Sequence, residues 1–185
     1  MTALGLIFGL ALAVAWLGET GGGSLSGRAR LVDGDTLEIG GRRVRLSGID
    51  APEYRQTCRR DGAPYPCGEA ARAALGRLIA GREVTCELGG RDRYRRHLAR
   101  CTSVGTDLNR AMVLSGHAVS HDGYRLEEAR ARAAGAGIWA GEFERPEAWR
   151  AEHEGRMPRF TFDRVFDSLA DGWLALRRLA GFPAG

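Results

Sequence analysis

Around Gly40-Gly41 the chain turns back on itself, and this constrains the fold more than any other feature. Thr36-Leu37-Glu38-Ile39 alternates polar and apolar residues, Gly40-Gly41 supplies a two-residue turn, and Val44 and Leu46 alternate with Arg43 and Arg45 up to Ile49. Pairing across the turn sets Leu37 opposite Val44 and Ile39 opposite Arg42, so one face is mostly apolar and the other carries arginine. Such a hairpin has to bury its apolar face, as a barrel strand does. Pro52 ends the ladder, because proline has no N–H to donate.

The rest of the pattern supplies partners. Gly27–Asp33 reads as a short strand, with Asp33-Gly34 a turn or bulge signal. Glu83–Leu88 and His97–Ser103 read as two further strands joined by a polar loop, Gly89–Arg96. Residues 68–80 form a helical stripe through Ala71, Leu75, Leu78 and Ile79, with Gly81 after the end. Asp107 can cap a helix ending near Ser115, with Gly116 beyond, and Leu126–Ala134 forms another helix rich in Ala, Glu and Arg. Five short strands with helices between and after them give an α+β, mainly β class: a small closed barrel with about three covering helices.

Composition agrees with one domain plus appendages. The chain has 185 residues, 44% hydrophobic and 27% charged, which excludes a disordered polyelectrolyte. Its formal net charge of +4 permits a polyanionic partner without demanding one. All 27 basic residues are arginine. On a solvated surface that is a coding bias; at a phosphate, the planar guanidinium can donate two parallel hydrogen bonds.

Both ends are apolar. Residues 3–18 carry no charge and Glu19 is the first, a run shorter than the roughly 20 residues of a membrane span. The run fits an export signal, with Ala13-Val14-Ala15 as a cleavage site, although no arginine precedes it. A retained anchor and a buried helix are the alternatives. At the other end Phe162, Val165, Phe166, Leu169, Trp173, Leu176 and Ala180 recur at helical spacing, so 161–180 is expected to be an amphipathic helix. It either packs on the domain or meets a membrane surface or partner.

Cys58, Cys67, Cys86 and Cys101 contain no Cys-x-x-Cys pair, which argues against zinc. Behind an apolar leader an even count reads as two disulfides in an oxidising compartment, with buried free thiols as the alternative. Of the possible pairings, Cys58–Cys67 and Cys86–Cys101 are favoured: one staples a Gly/Pro-containing loop, the other joins neighbouring strands. The expected location is therefore exported: periplasmic, secreted, or anchored to the outer face of the membrane.

The chemistry gathers at the hairpin. Hydrolysing a phosphodiester at neutral pH needs a hard cation on the phosphate, positive donors that follow charge into the transition state, and a base that orients water. Asp35 and Asp50 bracket the hairpin and suit an oxygen-loving cation; Arg45 lies within it; Glu53 follows Asp50 across a rigid Ala51-Pro52. Strict pairing sets Asp35 opposite Leu46, pointing Asp35 and Arg45 to opposite faces. The site therefore needs a bulge at Asp33-Gly34 or strong barrel curvature. Arg91, Arg93, Arg95, Arg96 and Arg100 taken alone are a solvated basic loop. His117 and His121 read as surface or packing residues, and Trp139 and Trp149 as core.

Three segments together resemble the signatures of the thermonuclease (staphylococcal nuclease-like) family. They are Val32-Asp33-Gly34-Asp35-Thr36, Arg45-Leu46-Ser47-Gly48-Ile49-Asp50-Ala51-Pro52-Glu53 and Asp92-Arg93-Tyr94-Arg95-Arg96, supported by Leu108-Asn109 and Gly137-Ile138-Trp139. The resemblance runs from about Gly27 to Trp149. It implies a five-stranded OB-fold barrel, with Asp35, Asp50 and the Ala51 carbonyl as Ca²⁺ ligands. It further implies Arg45 and Arg96 as phosphate clamps, Glu53 as candidate general base, and Arg93 and Tyr94 flanking the substrate. The implied activity is cleavage of DNA and RNA to 3′-phosphate and 5′-hydroxyl ends.

Two departures stand out. The glycine usual before the second clamp is Arg95, at a position tolerant of positive φ. One aromatic of the base pocket is missing, and Tyr124 is the candidate stacking platform in its place. The organisation expected is a leader or anchor with linker over 1–23, the nuclease domain over 24–150 and an extension over 151–185, acting as a monomer. Two other readings stay open. One is an OB barrel of the cell envelope that holds single strands without cutting; the other is an envelope-tethered protein using residues 3–18 or 161–180 for membrane contact.

Overall fold

The computed structural model describes residues 23–153. The expected leader over 3–18 and amphipathic helix over 161–180 lie outside the described residues. Among the described residues, no helix is long and apolar enough to cross a membrane.

Three antiparallel strands open the sheet: β1 (Ser24–Leu31), β2 (Thr36–Ile39) and β3 (Arg42–Leu46). Gly40 and Gly41 take φ values of 55° and 77°, the conformation of a type I′ hairpin turn, which only glycine, Asn or Asp adopt readily. Leu37 faces Val44 and Ile39 faces Arg42, as the alternation predicts. β1 starts earlier than expected and stops before Asp33, leaving Asp33–Asp35 as a bend rather than a strand end.

After β4 (Ile49–Asp50), a small hairpin of β5 (Cys58–Arg60) and β6 (Ala63–Tyr65) leads into α1 (Cys67–Ile79). Then come β7 (Glu83–Arg91), β8 (His97–Ser103), β9 (Thr106–Asp107), α2 (Leu108–Leu114), β10 (Val119–Ser120) and α3 (Arg125–Ala133). A short 3-10 turn at Gly137–Ala140 precedes α4 (Pro146–His153). The Asp107 carboxylate caps α2 by accepting from the Arg110 N–H at 3.0 Å. β7 runs on to Arg91 through a register shift after Leu88, so the connecting loop is shorter than the sequence suggests.

The sheet runs in the order β3-β2-β1-β7-β8, and a parallel pairing of β3 with β8 closes it into a five-stranded mixed barrel. Closure removes both sheet edges. Asn109, fully buried at the start of α2, pins the closure. Its amide donates to the carbonyls of Ser47 and Ala99, and its side-chain oxygen accepts from the Cys101 N–H at 3.0 Å. Every polar atom of this buried side chain is thereby used.

Leu37, Val44, Leu46, Val84, Leu75, Leu108 and Met112 fill the core between the barrel and helices α1 and α2. Fully burying a side chain of this size is worth roughly 1.5–3 kcal/mol. Both favoured disulfides are formed. Cys86 and Cys101 are directly opposed on β7 and β8 with Cα atoms 4.0 Å apart; Cys58–Cys67 ties β5 to the start of α1.

Candidate active site

The Asp33–Asp35 bend decides where the first carboxylate points. Val32 and Asp33 N–H groups both donate to the Thr36 carbonyl, and the Asp33 side chain accepts from the Asp35 N–H at 3.0 Å, an Asx turn. Gly34 is pressed into the interior: a Cβ there would lie 2.8 Å from the Cβ atoms of both Ala51 and Ala71. Asp35 still sits opposite Leu46, whose N–H donates to its carbonyl at 2.8 Å. The bend lets its side chain reach Arg45 all the same, supplying by a different device the bulge that pairing rules require.

Asp35 and Asp50 are buried, with 2% and 6% of their surface exposed, and Arg45 bridges them. Its two terminal nitrogens each lie 3.0 Å from an Asp35 oxygen, and Nη2 is 2.6 Å from Asp50 Oδ1. The Thr36 hydroxyl donates to Asp35 Oδ1 at 3.0 Å and the Ala51 N–H to Asp35 Oδ2 at 3.1 Å. On the other side, Arg150 from α4 forks onto both oxygens of Asp50 at 2.9 Å and reaches Glu53 Oε1 at 2.7 Å. Glu53 belongs to a tight turn. Gln56, fully buried, accepts from its N–H at 3.1 Å, and Gly68 packs so close to its carbonyl that a Cβ would fall 1.8 Å away.

Burial dominates the electrostatics of Asp35 and pushes its carboxyl up to about 8, against the pull of Arg45. Burial disfavours the charge on Arg45 and Arg150 too, but Asp35 and Asp50 for the first, and Asp50 and Glu53 for the second, outweigh it and raise both guanidiniums above their ordinary value. Two carboxylates and a hydroxyl are hard oxygen donors and fit a cation such as Ca²⁺ or Mg²⁺. Among the described residues no group of three or more His, Cys, Asp or Glu is placed to hold a metal ion by itself.

Arg96 joins from the β7–β8 loop. Its Nη1 lies 3.4 Å from the Thr36 hydroxyl, and Asp92 fixes it by accepting from its Nε at 2.7 Å and its N–H at 2.9 Å. Asp92 also accepts from the Tyr94 N–H, so one carboxylate shapes the turn and aims the guanidinium. Burial works against that charge, but the bonds from Arg96 prevail and hold Asp92 below the usual carboxylate value. The Tyr94 ring, 56% exposed, has the Arg93 and Arg96 guanidiniums 4.9 and 5.3 Å from its centroid. Arg95 takes φ 63°, so the loop keeps the left-handed turn that glycine would favour, with an arginine in it.

Asp35, Asp50, Ala51, Arg45, Glu53 and Arg96 thus form one connected network, with Arg93 and Tyr94 at its rim. Tyr124 is a correction. It is only 9% exposed, sits at the start of α3 and packs in the core against Gly48, so its ring is no stacking surface. Trp139 stacks edge-on against Phe143, a core contact as expected. Sequence reasoning left out Thr36, Asp92, Gln56 and Arg150. The first two lie inside quoted motifs, whereas Arg150 is one arginine among 27 with no local signature.

A family profile, the staphylococcal nuclease homologue, matches residues 43–141, over half the chain. The chain belongs to the staphylococcal nuclease family. It is 41% identical over 140 residues to the succinoglycan biosynthesis protein ExoI of Rhizobium meliloti, covering 71% of this chain and 73% of that protein. To an uncharacterized endonuclease of Haemophilus influenzae it is 32% identical over 140 residues, covering 69% of this chain and 74% of the relative. A probable staphylococcal-like nuclease of Oryza sativa, CAN2, is 34% identical over 117 residues, 60% of this chain but only 29% of the plant protein. The barrel and its family make this chain a staphylococcal nuclease homologue of OB type, and the family's substrate class is nucleic acid.

Proposed function

We propose that this staphylococcal nuclease homologue is a Ca²⁺-dependent nuclease that hydrolyses phosphodiester bonds of DNA, RNA or both, leaving 3′-phosphate ends. The observation that carries the reading is the Arg45 bridge between two buried carboxylates, with Arg96 one hydroxyl away. Asp35, Asp50 and the Ala51 carbonyl would hold the cation, which when bound neutralises the phosphate and polarises it towards attack. Glu53 orients water and takes its proton as the water oxygen bonds to phosphorus. Arg45 and Arg96 donate to the phosphoryl oxygens as charge builds on them. The 5′ oxygen leaves with the bonding pair and takes a proton from solvent. Arg93 and Tyr94 hold the neighbouring nucleotide by charge and stacking.

The nuclease domain is taken as 24–150, acting as a monomer, with 1–23 as an export signal or N-terminal anchor with linker and 151–185 as extension. Two buried disulfides, and a relative named for the biosynthesis of succinoglycan, support an exported or envelope location. Degradation of plasmid DNA and of single-stranded RNA by the purified chain, in Ca²⁺ and in EDTA, tests the reading. Cleavage in Ca²⁺ that EDTA abolishes supports it. Retention of nucleic acid without cleavage at any Ca²⁺ concentration would leave only a binding barrel.

A further inference from the structure

We propose that Arg150 is a resident cation of the site, a positioning residue that holds Asp50 and Glu53 together and that a divalent metal must displace from Asp50 in order to bind. The inference rests on the reading of Asp35 and Asp50 as the metal carboxylates.

Occupancy of the carboxylate oxygens carries it. Asp50 Oδ1 accepts from Arg45 at 2.6 Å and from Arg150 at 2.9 Å, and Asp50 Oδ2 accepts from Arg150 at 2.9 Å. Both Asp35 oxygens are engaged by Arg45, one also by Thr36 and the other by the Ala51 N–H. Ca²⁺ takes carboxylate oxygens at roughly 2.3–2.6 Å, so it cannot share Asp50 with a guanidinium forked over both oxygens. Arg45 contends in the same way, but Arg45 is also the proposed phosphate clamp. Arg150 is the cation whose removal leaves that clamp in place.

The delivery of Arg150 is built into the fold. The segment before α4 is stitched to the loop that carries Glu53: Gln56 bonds the Glu53 N–H and donates its own amide to the Glu144 carbonyl at 2.6 Å. Arg59 and Glu142 exchange backbone hydrogen bonds at 2.8 and 2.9 Å. Gly141 lies so close that a Cβ would fall 2.0 Å from the Arg59 carbonyl. A chance surface pairing needs none of this anchoring. The fork geometry is also that of a strong charge-assisted pair, with one nitrogen shared by two carboxylates. Arg150 lies beyond residues 43–141, the span matched by the family profile.

Competition has a measurable sign. If most molecules hold Arg150 on Asp50, the apparent Ca²⁺ affinity is reduced by the fraction not so engaged. Isothermal titration of the full chain with CaCl₂ alone, comparing wild type, Arg150→Gln, Arg150→Lys and Asp50→Asn, tests this without any cleavage. Arg150→Gln is expected to bind Ca²⁺ about tenfold more tightly or better, with Arg150→Lys between, since lysine keeps the charge but not the fork. In EDTA, Arg150→Gln is expected to melt below wild type, and saturating Ca²⁺ is expected to raise its melting temperature more than that of wild type. Ca²⁺ binding by Arg150→Gln that is equal to or weaker than wild type overturns the proposal. Asp50→Asn separates the two levels. If it abolishes Ca²⁺ binding while both Arg150 variants bind as wild type does, the site stands and the competition fails. If it leaves binding unchanged, the site reading itself fails and the proposal with it.

Discussion

Asp35 and Arg45 pair at 3.0 Å although the hairpin sets Asp35 opposite Leu46 and Arg45 opposite Thr36. Side chains one residue out of step on a strand pair point to opposite faces, so regular strands alone would hold these two apart. The Asp33–Asp35 bend breaks the alternation at the one place where the chemistry needs it. It is held by Gly34 against Ala51 and Ala71, which couples the first carboxylate to the segment carrying the second.

Gly34→Ala tests that coupling. The new methyl meets two core Cβ atoms at 2.8 Å, neither of which is the end of a flexible side chain. Overpacking of this kind costs about 1–3 kcal/mol. Urea unfolding is expected to give a loss in that range, accompanied by a fall in cleavage. Wild-type stability with wild-type cleavage would mean the bend is not held there.

Glu53→Gln and Arg96→Ala are expected to leave folding intact and to lower turnover by roughly 10²–10⁴, the span associated with losing a general base or a transition-state donor. Neither side chain belongs to the core, so melting by circular dichroism is expected to stay close to wild type. Turnover within a few-fold of wild type in either variant would remove that residue from the chemistry.

Arg95 occupies the left-handed region at φ 63°, where an L-residue costs about 1–2 kcal/mol and glycine does not. Arg95→Gly is therefore expected to raise stability by about 1 kcal/mol in chemical denaturation, less whatever glycine loses in the unfolded chain. Cleavage is expected to be unchanged, because Asp92 and not Arg95 aims Arg96. A destabilised variant would mean that the Arg95 side chain holds the loop.

The Asp92 carboxyl titrates below its ordinary value because Arg96 and the Tyr94 amide bond its charged form. The stabilisation it lends is complete above the unfolded carboxylate value of about 3.9 and is lost as pH falls through the lower folded value. Hydrogen exchange of the Tyr94 and Arg96 amides is expected to show protection, relative to the intrinsic rate, falling only below about pH 4. In Asp92→Asn that acid transition is expected to vanish. An acid transition equal in wild type and Asp92→Asn would place the titrating group elsewhere.

The hairpin was readable from sequence because alternation around Gly40-Gly41 admits a single register, and the Cys86–Cys101 link follows once β7 and β8 are recognised as neighbours. The Asp33–Asp35 bend was required by geometry, but the packing of Gly34 that fixes it depends on its contact with Ala71 of α1, a long-range contact that no local pattern reveals. Tyr124 was misread because the start of a helix can face outward or inward, and packing against Gly48 decides that after the chain has folded. Arg150 escaped because its partners lie about a hundred positions away, at separations of 100 and 97 residues, and arginine is the commonest charged residue of this chain.

In the proposed nuclease, one divalent ion and one phosphate sit among Asp35, Asp50, Arg45, Glu53 and Arg96. A crystal structure with Ca²⁺ and a phosphorothioate oligonucleotide tests it most directly. Ca²⁺ is expected at roughly 2.3–2.6 Å from carboxylate oxygens of both Asp35 and Asp50, with the phosphate between Arg45 and Arg96. Ca²⁺ bound elsewhere, or a phosphate lying on another face of the barrel, would contradict it.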